Sequence, residues 1–149
     1  MRDAAAAKDH RDSRKLSEIE FANMMSEEGV VILDPRGRPF HANYHIKGSV
    51  NLPYTYFDPK SVASVIPSKK TKVLIYCRNN ISEDFLKSKN PAKKLNGSSE
   101  IEQFEVPKTV SAALTIPTYI TLYQYGYRNV WELSDVVNPK TSRIEFVIN

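Results

Sequence analysis

The chain contains one cysteine, Cys77, and three histidines in 149 residues. A lone thiol excludes an internal disulfide and an all-cysteine metal site. His10, His41 and His45 are too few and too poorly spaced for a zinc centre, so neither metal nor cofactor is expected. No apolar run approaches the roughly 20 residues that cross a bilayer, so no membrane span is expected. The opening stretch MRDAAAAKDHRDSRK lacks an apolar core and is not a signal peptide as it stands. The compartment is therefore unspecified: cytoplasmic by default, with export open if an upstream signal was removed. The formal net charge is +4, but the basic residues are scattered. Their densest cluster, Lys87, Lys89, Lys93 and Lys94, has no interleaved aromatics, so no nucleic-acid partner is expected. There is no internal repeat.

What is present is ordinary for a globular protein, with 41% hydrophobic and 26% charged residues. The length suits a single domain with a substantial core. Residues 1–15 read as a flexible lead-in, disordered or weakly helical, and residues 16–149 as one domain. Ser17, with Glu20 three positions on, predicts a capped helix carrying Phe21, Met24 and Met25, with Gly29 as its stop. VVIL (30–33), closed by Asp34-Pro35-Arg36-Gly37, predicts a strand and turn. GSVNLP (48–53), VLIYC (73–77) and RNVWEL (128–133) are further strands. IPTYITLYQYG reads as a helix with Thr115 as N-cap, Pro117 in its first turn and Gly126 at its end. Short apolar strands alternating with helices predict an α/β fold, a mainly parallel central sheet flanked by helices. Ligands bind at the carboxyl ends of strands in such sheets, and Cys77 stands at such an end. Residues 81–110, charged and rich in Asn, Ser, Lys and Pro, read as an insertion that packs loosely, either tolerated at the surface or a flap that contacts substrate or partner.

A lone cysteine is ordinarily buried as a small apolar group. At a strand end, however, loop amides and a neighbouring guanidinium can favour the thiolate, which is the nucleophilic form. Arg78 follows Cys77 directly.

The motifs Asp34-x-Arg36, then His45-Ile-x-Gly48-x-x-Asn51-x-Pro53, then Tyr-Cys77 at a strand end, then Gly126-Tyr-x-Asn129-Val130, resemble the rhodanese-like domains in order and spacing. The resemblance spans roughly residues 16–137. It implies an α/β fold and a sulfurtransferase or persulfide carrier that moves sulfane sulfur through a persulfide on Cys77. The loop residues Arg78, Asn79, Asn80, Ile81 and Ser82 would bind the substrate, with their amides facing the anion, while Asp34, Arg36 and His45 would support the loops. The implied partners are a small sulfur-containing anion such as thiosulfate and an external thiol or protein sulfur acceptor. The chain departs from the family's Cys-x-x-Gly-x-Arg loop at two places. Asn80 replaces the glycine, for which it suits because Asn enters left-handed conformations readily, and Ser82 replaces the arginine. Two other readings stay open: a catalytically weak interaction module, and phosphatase or arsenate-reductase chemistry, which normally needs an arginine where Ser82 stands.

Overall fold

The computed structural model describes residues 2–89 and 108–149. In chain order its elements are α1 (Arg2–Asp12), β1 (Lys15–Leu16), α2 (Glu18–Met25), β2 (Val31–Asp34), α3 (Arg38–Asn43), β3 (Tyr44–Ile46), β4 (Val50–Asn51), α4 (Pro59–Val65), β5 (Val73–Ile75), α5 (Glu83–Lys89), α6 (Lys108–Gln124), β6 (Val130–Leu133) and β7 (Phe146–Ile148). Two single 3-10 turns, Tyr54–Tyr56 and Arg78–Asn80, complete the path. Five strands form one parallel sheet in the order β1-β6-β5-β2-β4. Strands β3 and β7 pair antiparallel beside it. The predicted α/β architecture with a parallel sheet is the observed one.

Side chains alternate across a strand, so a strand covered on both faces must be apolar throughout. In β5, Val73 and Ile75 enter a cluster with Leu33, Val62, Tyr119 and Leu122, under α4 and α6. Leu74, with Tyr76 just beyond the strand, enters the opposite cluster with Phe21, Ile32 and Leu133, under α2. Registers such as Val31 opposite Val73, and Val73 opposite Val130, align the carboxyl ends of β2, β5 and β6. That edge carries the functional candidates.

Several local predictions meet their physics. Ser17 Oγ accepts the Glu20 amide at 3.2 Å and Glu20 returns the bond to the Ser17 amide at 2.8 Å. At the end of α6, the Gly126 amide bonds Tyr123 O and the Tyr127 amide bonds Leu122 O, at 3.0 and 2.9 Å. This paired closure needs a left-handed residue at position 126, which Gly126 supplies with φ of 99°.

Three expectations are corrected. The lead-in is a helix, α1, whose alanines favour that conformation. Ala7 is fully buried, and Arg11 forks onto Glu132 of β6 at 2.7 and 2.8 Å. Thr115 is not an N-cap: α6 begins at Lys108 and carries both Thr115 and Pro117 within it. The insertion does not start loosely, because 83–89 form α5, whose Phe85 is buried against Tyr44 and Ile81. The rest of that stretch, 90–107, lies outside the described residues. Helix α4, with Asp58 and Ser61 capping each other across Pro59, was legible in principle as Asp-Pro-x-Ser.

Candidate active site

Strand β5 is the central one of the five, and Cys77 lies two residues after its end. The chain then makes one 3-10 turn, in which the Asn80 amide returns to Cys77 O and the Ile81 amide to Arg78 O, both at 3.0 Å. Asn80 holds this turn in place. Its Oδ1 accepts the Cys77 amide at 3.0 Å, while its Nδ2 donates to Leu133 O and Asp135 O at 2.9 and 3.0 Å. The loop is thereby sewn to the end of β6. No described residue other than glycine has a positive φ, so the expected left-handed Asn80 is corrected: the amide side chain matters, not its tolerance for that backbone region.

Of the loop amides expected to face an anion, that of Asn79 faces the sulfur, and three others are engaged elsewhere. The amides of Asn80 and Ile81 close the turn, and the Ser82 amide donates to Val137 O at 2.9 Å. Ile81 bridges Val137 and its side chain is buried. Ser82 Oγ accepts the Phe85 amide at 3.3 Å. In place of the family's arginine, Ser82 caps α5.

Cys77 itself is 1% exposed, where an open crevice was expected. Burial pushes its thiol pKa up, the opposite of the direction expected from Arg78. Several groups oppose that shift without reversing it. The Thr115 hydroxyl, from α6, donates to Cys77 Sγ at 2.8 Å, the Asn79 amide faces the sulfur, and the Arg36 charge acts on it.

Arg36 belongs to a buried polar network just behind the cysteine. Asp34 is fully buried and Arg36 is 2% exposed. Arg36 donates to the Asp34 carboxylate from Nε at 2.9 Å and from Nη2 at 2.7 Å, and Nη2 also reaches Tyr44 O at 2.7 Å. Its backbone amide bonds Asp34 Oδ1 at 3.0 Å, closing a side-chain turn. The guanidinium lies over the rings of Tyr44 and Tyr76, at 4.6 and 5.4 Å from their centroids. Its Nη1 makes no hydrogen bond to a described residue. Asp34 also accepts from His41 Nδ1 at 2.8 Å and from the Tyr76 hydroxyl at 3.0 Å. Burial alone would raise the Asp34 pKa, but the Arg36 charge and the donated hydrogen bonds outweigh it and hold the carboxyl at about 2. Asn51 Nδ2 ties the Asp34 and Arg36 carbonyls together at 3.0 and 2.8 Å. His45 donates from Nδ1 to His41 O at 2.7 Å and stacks on the His41 ring. Gly48 turns the chain with φ of 85°.

The supporting residues Asp34, Arg36 and His45 therefore gather in one network, and Cys77 with the loop 78–82 lies beside it. Three members were not foreseen. His41 and Tyr76 complete the coordination of Asp34, and Tyr76 was visible only as the residue before Cys77. Thr115 was read as a cap, and nothing local in the sequence marks its hydroxyl as a partner of sulfur. Among the described residues, no three His, Cys, Asp or Glu side chains cluster as a metal site would need, and no helix is long and apolar enough to cross a membrane.

The chain was compared with known proteins on this basis. No curated protein matches it in sequence. Two solved structures are similar in shape. One is a complex of EanB, in a cysteine-to-serine variant, with hercynine, at 15% identity and a TM-score of 0.49, covering 83% of this chain and 24% of that one. The chain thus spans about a quarter of that protein's length. The other is the single-domain sulfurtransferase RDL2 of Saccharomyces cerevisiae, at 11% identity and a TM-score of 0.47, covering 85% of each chain. A family model described as the rhodanese-like domain matches residues 17–134, from the cap of α2 to just beyond β6. The protein belongs to the rhodanese-like domain family.

Proposed function

We propose that the chain is a sulfurtransferase or persulfide carrier acting through Cys77. The observation that carries the reading is the position of the only thiol in the sequence, at the carboxyl end of the central strand, with its sulfur accepting a hydrogen bond from a buried hydroxyl. The thiol first loses its proton to bulk base. The thiolate attacks the outer sulfur of a donor such as thiosulfate, a new S–S bond forms on Cys77, the donor's S–S bond breaks, and sulfite leaves with the electron pair. An acceptor then attacks the outer sulfur of the persulfide and regenerates the thiolate. The sequence has no second cysteine to attack the persulfide, so the acceptor is external: cyanide, a small thiol or a protein thiol.

One observation favours a second reading, a rhodanese-like interaction module with little turnover. The thiol is buried and its pKa is raised, so little thiolate is present at neutral pH. Mass spectrometry after incubation with thiosulfate, or with a persulfide donor, separates the two. The transferase reading expects one added sulfur atom, removable by cyanide and absent from Cys77→Ser. No added sulfur from either donor would overturn it in favour of the interaction module.

A further inference from the structure

In the loop that follows Cys77 the amides of Asn80 and Ile81 close the turn and that of Ser82 goes to Val137, while the Asn79 amide faces the sulfur; the sixth position is a helix cap and not a cation. An anionic sulfur in this site gains a further donor from outside the loop. That donor is on Thr115, 38 positions away on α6, with Oγ1 2.8 Å from Cys77 Sγ. Both side chains are buried. A threonine hydroxyl in a helix usually donates to a carbonyl in the preceding turn, yet here it is directed at the sulfur. We propose that Thr115 is a catalytic residue: its hydroxyl is the hydrogen-bond donor that stabilises the Cys77 thiolate, replacing part of the donor set the loop lacks. The inference deepens the persulfide reading and rests on it for its functional meaning.

The chemistry follows from the two states of the sulfur. A neutral thiol is a weak acceptor, so the hydroxyl gains little from it. A thiolate is a full anion, and a buried O–H donor favours it strongly because water cannot substitute. The same hydroxyl stands beside the sulfur whenever an acceptor attacks the persulfide and the thiolate leaves, so it would favour both halves of the transfer. Of the charged groups, Arg36, two residues beyond the end of β2, acts on this sulfur, and Arg78 is next in the chain. Both are cations and both remain in every variant used below.

The test is the pH dependence of iodoacetamide alkylation in the full chain, where Cys77 is the only thiol. Thr115→Val keeps the shape and removes the donor, whereas Thr115→Ser keeps the donor and removes the methyl. For Thr115→Val the alkylation midpoint should move upward by about one to two pH units, a ten- to hundredfold loss of thiolate at fixed pH, as expected for a hydrogen bond to a charged group. Thr115→Ser should stay near the wild type. Thr115→Ala, smaller and free of overpacking, should behave as Val does and serves where the Val variant does not fold. An unchanged midpoint in either folded donor-free variant, or a Ser variant shifted as far as Val, would overturn the proposal. Alkylation needs no sulfur donor, so this result is independent of whether thiosulfate labels the protein.

Discussion

Cys77 is subject to two opposed influences, burial that favours the neutral thiol and the Thr115 and Asn79 donors with the Arg36 charge that favour the anion, and burial prevails. Its alkylation midpoint should therefore lie above that of a free cysteine, and sulfur uptake should keep rising with pH through the alkaline range. A flat uptake profile from neutral pH upward would contradict the raised thiol. Asp34 presents the reverse balance. Its folded pKa of about 2 lies below the unfolded value of 3.8, so its contribution to stability is complete above the unfolded value. That contribution is lost as the pH falls toward 2. Asp34→Asn removes the counter-ion of a guanidinium that is 2% exposed. The expected loss is about 3–5 kcal/mol in chemical denaturation at neutral pH. It should shrink at strongly acidic pH, where the wild-type carboxyl is also protonated.

Helix α5 stands where the family pattern places a loop arginine leading straight into a helix. Its first-turn cap, Ser82, and its buried Phe85 show that this segment is a folded part of the domain. Restoring the family residue with Ser82→Arg should not increase sulfur uptake, because the position faces the start of α5 and serves its amides. The variant should lose about 1 kcal/mol in urea denaturation, the usual cost of removing an N-cap. Faster labelling by thiosulfate in that variant would show that the arginine can still reach the sulfur.

The family match begins at residue 17, so α1 lies outside the matched span. It lies on α6, the helix that carries Thr115, through His10 beside Tyr119, and reaches β6 through Arg11 on Glu132. Burial raises the Glu132 pKa and Arg11 pulls it back. Arg11→Ala would leave that carboxylate buried without its partner, a loss of about 3 kcal/mol at neutral pH. The carboxyl can respond by taking up a proton, so the deficit should narrow as the pH falls through the carboxylate range. His10 shifts the other way: burial and nearby Arg14 lower its pKa. The unfolded chain therefore binds that proton first, and wild-type melting temperature should drop as the pH falls below the ordinary histidine value. His10→Gln should remove that dependence. A wild-type melting curve unchanged between about pH 7.5 and 5.5 would count against the shift.

The parallel sheet, the cap of α2, the stop at Gly126 and the place of Cys77 at a strand end follow from short-range patterns. Such signals work because strand burial, capping and positive φ are set by a residue and its near neighbours. Asp34 and Arg36 were legible as supporting residues from their motif, but not as each other's partner. What the tertiary structure alone decided is how the cysteine's surroundings are furnished. Thr115 reaches the sulfur only because α6 packs over the end of β5, and Asn80 binds the sheet edge only because β6 ends beside it. Among its described side chains, helix α1 docks through Ala7, His10 and Arg11, a face with almost no apolar pattern to read. The burial that raises the Cys77 pKa is likewise a sum over distant elements, and no local stretch of sequence contains it.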